Sequence, residues 1–147
     1  MTTTPNSPEL ITDSVEALKN TFRNHASGVS IITLLDSDGK PVGFTATSMT
    51  SLGANPPLAS FNMASGSSTW PSLCKATWVA IHTLGQNNQE LATKMAADHT
   101  QRFLDDDWTF GPKGLPIFKG VTSVLIAGIR EIHSVEKNAV VIVDVVE

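Results

Sequence analysis

The 147-residue chain has a single cysteine, Cys74. One thiol forms no disulfide within its own chain and supplies no cysteine-rich metal site. Cys74 stands in Pro71-Ser72-Leu73-Cys74-Lys75, a short helical segment. It reads as a buried or half-buried small apolar residue rather than a nucleophile. Basic charge is scarce as well: 10 Lys and Arg against 14 Asp and Glu give a formal net charge of -4. Nucleic acid calls for the opposite balance and is not an expected partner, although a local basic pocket for one phosphate stays open. No apolar run approaches the roughly 20 residues of a membrane span, so no membrane contact is expected. The first residues, Met1 to Pro8, show no basic stretch leading into an apolar one. No secretory signal is expected there, the expected location is the cytoplasm, and residues 1–13 read as a flexible tail.

Familiar catalytic signatures are missing too. There is no Gly-x-Gly-x-x-Gly, no Gly-Lys-Ser/Thr loop and no Gly-x-Ser-x-Gly elbow. His25, His82, His99 and His133 are scattered, with no two at metal-ligand spacing on a helix. Asp105-Asp106-Asp107 is the one acidic cluster and reads as a solvated loop, so no metal site is expected. What remains is an ordinary globular composition, 41% hydrophobic and 16% charged, of a size that fits one domain over residues 14–147.

The chain then reads as short strands with small helices between them. Asp13 and Glu16 form a capping-box pattern ahead of Val15, Leu18 and Phe22, an amphipathic helix over 14–24. Val29 to Leu35 is a β-branched strand, Asp36 to Lys40 a turn with an Asp-Gly pair, and Pro41 to Ser48 the returning strand of a hairpin. Asn55-Pro56-Pro57 is a rigid turn into a strand over 58–64. Ser68 or Thr69 can cap a helix with Pro71 in its first turn. A strand over 77–84, a helix over 88–97 with Leu91 and Met95 inward, a Gly- and Pro-rich loop over 105–119, and two long strands over 121–135 and 139–146 complete the chain. The pattern predicts a mainly β, antiparallel fold, closed or nearly closed as a barrel.

Two segments carry chemistry. Gly43-Phe44-Thr45-Ala46-Thr47-Ser48 is a strand of small and hydroxyl residues. It suits close backbone approach to a flat ring, or else is a strand with one solvated face. Ser67-Ser68-Thr69 places three hydroxyls at a helix start, where a phosphate can be held, or serves as an ordinary cap. Their order, bridged by Pro56-Pro57-Leu58, is far more specific than either alone.

From about Phe22 onward the chain resembles the flavin reductase-like domain family. Phe22 to Val29 resembles the family's opening turn, Gly43 to Ser51 its flavin strand, and Pro56-Pro57-Leu58 with Ser60-Phe61-Asn62 the turn and strand that follow. Ser67 to Trp70 resembles the phosphate segment, and Leu91 to Ala96 with Arg102-Phe103 the later helix and its end. The resemblance implies an FMN-binding split β-barrel and a homodimer with FMN, or FAD, near the interface. It implies hydride transfer from NADH or NADPH to the flavin, which then serves a partner monooxygenase. By position, Thr45, Ala46, Thr47 and Ser48 would line the ring and ribityl, Ser51 and Asn62 would bond the flavin tail, and Ser67, Ser68 and Thr69 would take the phosphate. Arg102 either adds charge there or is a surface residue. His82 either faces the flavin edge or is a structural histidine. Asn138 stands where the family often carries a His near flavin and nicotinamide; with the ending at Glu147, this favours an alternative, an FMN-binding electron carrier or flavin store with little nicotinamide turnover.

Overall fold

The computed structural model describes residues 10–23, 25 and 28–147. Residues 1–9 of the tail expected over 1–13, and part of the Phe22–Val29 motif, therefore lie outside the described residues. One helix, α1 (Ser14–Arg23), precedes nine strands: β1 (Ser30–Leu35), β2 (Pro41–Ala46), β3 (Thr50–Ala54), β4 (Pro57–Ala64), β5 (Trp78–Thr83), β6 (Trp108–Phe110), β7 (Pro116–Phe118), β8 (Ser123–Val135) and β9 (Asn138–Val145). Helix α2 (Trp70–Lys75) follows β4, and α3 (Gln89–Ala96) follows β5. Seven strands form one sheet in the order β2-β1-β5-β8-β9-β4-β3, every neighbouring pair antiparallel.

The sheet curls until its two ends approach. Phe44 of β2 meets Phe61 of β4 with ring centroids 6.0 Å apart. No ladder joins these two strands; the Ser48 hydroxyl instead accepts the Asn62 N–H across the gap at 2.8 Å. The barrel is thus closed on one side by side chains and left open between β2 and β4. Its interior is filled by alternate residues, among them Ile32, Leu34, Phe61, Ile81, Val141 and Val143, all fully buried. Each large side chain of this kind contributes about 1.5–3 kcal/mol by leaving water.

β1 and β5 are buried on both faces, which is why they read as continuous apolar runs rather than alternating ones. Their outer faces are covered by α3, through Met95 packed on Ile31 and Phe118, and by the β6–β7 pair, through Leu115 near Ala80 and Ile126. The segment 105–119 is therefore not simply a loop. Its glycines and prolines turn the chain so that Trp108 pairs with Phe118 across a two-stranded ribbon. β3 is also an unexpected strand, a fully exposed edge paired to β4. Cys74 lies exposed on the outer side of α2 while Leu73 is the buried residue, so the expected burial of the thiol is corrected: α2 turns one narrow face inward. On α1, Val15, Leu18 and Phe22 are all exposed.

Candidate functional site

The opening between β2 and β4 forms a groove of about 420 Å³, large enough for a cofactor-sized ligand. One wall is Thr45, Ala46, Thr47 and Ser48, carried by the end of β2. The other is Asn62, Met63 and Ala64 of β4, with Ser67 just beyond. Asn138, the first residue of β9, enters the same groove because it pairs with Ala64. Arg102 and Ala96 close the far end. Thr47, Ser48 and Asn62 also wall a neighbouring hollow that runs to Phe22 and His25.

Arg102 is the one charged group in the lining. A short 3-10 turn, His99–Gln101, delivers it. Asp98 starts that turn by accepting the Thr100 N–H at 3.0 Å and the Thr100 hydroxyl at 2.9 Å, and these bonds hold its carboxyl below the usual range. The guanidinium donates from Nη1 to the Gly43 carbonyl at 2.6 Å and from Nη2 to the Ala97 carbonyl at 3.0 Å. Its Nε is buried with no partner. Burial pushes the Arg102 pKa down, with Asp98 opposing. A half-buried cation bonded only to neutral carbonyls is short of an anion, and a phosphate fits that need.

The hydroxyl segment is arranged differently from its expected reading. Ser67 lines the groove. Ser68 is exposed beside it and Thr69 is 2% exposed. The Thr69 hydroxyl donates to the Gly43 carbonyl at 3.3 Å and makes no cap bond to α2. Ser51 lies on the exposed edge strand β3, outside the groove lining. His82 is not part of the groove lining and is fully buried on the outer face of the sheet. Its Nε2 accepts the Phe118 N–H at 3.0 Å, so the proton sits on Nδ1, which donates to the Ile31 carbonyl at 3.0 Å. Burial lowers its pKa. Sequence reasoning had no signal for Ala96, whose place at the groove end depends on where α3 docks. Among the described residues no three His, Cys, Asp or Glu side chains stand close enough to hold a metal ion.

The fold is an antiparallel barrel, open along one side, with hydroxyls and a single cation in the opening, an arrangement with room and charge for a phosphate-bearing ligand. The chain belongs to the flavin reductase like domain family, whose sequence model matches residues 22–147. A flavin reductase domain protein from Arthrobacter sp. FB24 is 48% identical and superimposes with a TM-score of 0.86, over 90% of this chain and 82% of that one. The NADH:FMN oxidoreductase of Rhodococcus qingshengii is 39% identical over 122 residues, 82% of this chain and 63% of that protein. The reductase subunit of a flavin-dependent monooxygenase from Rhodococcus jostii (strain RHA1) is 30% identical over 107 residues, 73% of this chain and 54% of that protein. The chain thus spans less than two thirds of the length of these curated relatives.

Proposed function

We propose that this chain is an NAD(P)H:flavin oxidoreductase, one domain over 14–147, which reduces FMN, or FAD, and hands the reduced flavin to a monooxygenase component. The observation that carries this reading is the groove itself: it brings Thr45 to Ser48, Asn62 and Ser67 around Arg102, a cation whose buried Nε has no partner. Ser67 and Arg102 would hold the flavin phosphate, and Thr45 to Ser48 with Asn62 would orient the ring. When bound, the flavin supplies N5 as the acceptor of hydride from nicotinamide C4. The work left to the protein is to stack and align two rings and to keep water out. The groove lining suits this, since it contains no carboxylate and no histidine among the described residues.

The names of the Rhodococcus relatives support both the nicotinamide donor and a monooxygenase partner. A homodimer is proposed because Val15, Leu18 and Phe22 leave an apolar stripe on α1 that the single chain does not cover. A cytoplasmic setting is proposed; no helix among the described residues is long and apolar enough to cross a membrane. The second reading, an FMN-binding carrier with little nicotinamide turnover, draws on Asn138, which brings an amide to the groove where the family resemblance implies a histidine. NADH oxidation by the purified protein with FMN, against FMN alone, separates the two. A rate well above background is expected; a background rate from yellow protein would replace the reductase with the carrier.

A further inference from the structure

We infer that Met49 is an oxidation site, through which peroxide arising from this protein's own product weakens its flavin groove; the inference rests on the flavin reading above. The product of that reaction, free reduced flavin, is oxidised by dioxygen when no acceptor takes it. Two electrons and two protons pass to dioxygen, and hydrogen peroxide forms. The peroxide transfers one oxygen atom to a thioether sulfur, which becomes a sulfoxide, and the rest leaves as water. The fold decides which sulfur is offered. The chain has four methionines, of which Met1 lies outside the described residues. Met95 is fully buried beside Ile31 and Phe118, and Met63 belongs to the barrel core at 5% exposure. Met49 is half-buried. It walls the hollow that shares Thr47, Ser48 and Asn62 with the groove. Of the described methionines it is therefore the one open to a small oxidant beside the groove. The remaining sulfur, the Cys74 thiol, is exposed on α2 and takes no part in the groove lining.

Two contacts make an oxygen on Met49 consequential. Its side chain packs on the barrel core, and its Sδ accepts the hydroxyl of the buried Ser30 at 3.8 Å. A sulfoxide places a strongly polar oxygen in that largely apolar contact, and the oxygen is better solvated in the open hollow. The neighbouring residue in the chain, Ser48, carries the hydroxyl that accepts the Asn62 N–H at 2.8 Å across the open seam. Residue 49 turning out of the core therefore carries Ser48 with it and loosens the bond that holds the two walls of the groove together. A methionine is suited to this position because its thioether fills an irregular gap as an apolar group until it is oxidised.

The test uses the full chain carrying Cys74→Ser, so that no thiol competes for the oxidant. Dilute hydrogen peroxide is added without flavin, the three internal methionines are followed by peptide mass spectrometry, and the FMN dissociation constant is measured on the same samples. Met49 is expected to gain one oxygen at least about fivefold faster than Met63 or Met95, and the FMN dissociation constant to rise at least about threefold in step with it. Methionine sulfoxide reductases with a thiol should reverse both changes. Met49→Leu in the same background, compared with its own untreated sample, should keep its FMN affinity at the same dose. In aerobic turnover with NADH and FMN, the oxygen should appear on Met49, and catalase should prevent it. Oxidation of Met63 or Met95 as fast as Met49 would overturn the inference. So would an FMN affinity that oxidised Met49 leaves unmoved, or a loss in Met49→Leu equal to that of its parent. Met49 left unoxidised while NADH is consumed in air would also overturn it, with the flavin site still in place. A protein that binds no FMN before any peroxide is added would overturn the flavin reading, and this inference with it.

Discussion

A second proton on His82 has no place to go. Nε2 already accepts the Phe118 N–H, and Nδ1 already donates to Ile31. Burial is the main reason its pKa lies below the ordinary 6.5, with backbone hydrogen bonds acting against it. The unfolded chain therefore holds more protons than the folded one between the depressed native pKa and about 6.5. This stabilisation is complete above that window and is lost as the pH falls through it. The melting temperature should be flat near neutrality and drop below about pH 6.5, with a smaller drop in His82→Gln. His82→Leu leaves two buried backbone groups unpaired and should cost about 2–5 kcal/mol in denaturant unfolding. Asn138 poses the opposite case. It lines the groove and carries no proton to exchange, and Arg102 stays charged at any working pH, so the lining gives no reason for a pH-dependent rate. Reductase activity should be level across neutral pH, while Asn138→His should introduce a bend near about pH 6.5. A level profile in that variant would place residue 138 away from the reacting rings.

At the scale of elements, β2 is where most of the site is decided. Gly43 was legible as a small residue, and its smallness serves packing. A Cβ there would lie 2.8 Å from the Ile32 carbonyl oxygen, 3.1 Å from Met95 and 3.2 Å from Phe103. The first of these is backbone in the neighbouring strand and has little room to yield. Gly43→Ala should therefore push β2 and α3 apart, cost about 1–3 kcal/mol by overpacking, and weaken FMN binding because the carbonyl that anchors Arg102 moves with the strand. Chemical denaturation and FMN titration check the two effects together. Other elements were readable to different degrees. The hairpin at Asp38-Gly39 follows from its turn residues, and Gly39 adopts a φ of +76° there. The β6–β7 ribbon was not readable, because Gly111, Pro112, Gly114 and Pro116 signal loop by composition and only the platform of β1 and β5 beneath makes pairing worthwhile. β3 was hidden for a related reason: an exposed edge strand needs no apolar face, so it leaves no periodic trace.

For the whole molecule, the open question of assembly has a physical handle. Val15, Leu18 and Phe22 share one stripe of α1 and are 57%, 60% and 61% exposed in the single chain. If a second copy covers that stripe, Leu18→Glu should shift the protein from dimer to monomer in sedimentation velocity, with little change in fold by circular dichroism. An unchanged dimer would locate the interface elsewhere. The order of strands and helices, the hairpin turns and the two hydroxyl segments can be read along the chain, because periodicity, capping and turn chemistry are properties of near neighbours. The same reading brought Thr45 to Ser48, Ser51, Asn62, Ser67 to Thr69 and Arg102 forward, with His82 and Asn138 beside them, through likeness to a family rather than through any visible contact; of these, Thr45 to Ser48, Asn62, Ser67, Arg102 and Asn138 line the groove. That these residues share a groove, that Thr69 turns inward while Arg102 faces the opening, and that His82 serves the core were decided only when the sheet closed. The bond from Arg102 to Gly43 joins residues 59 positions apart. Which donor reaches that carbonyl depends on how far the barrel curls and where α3 docks, and no local pattern records either.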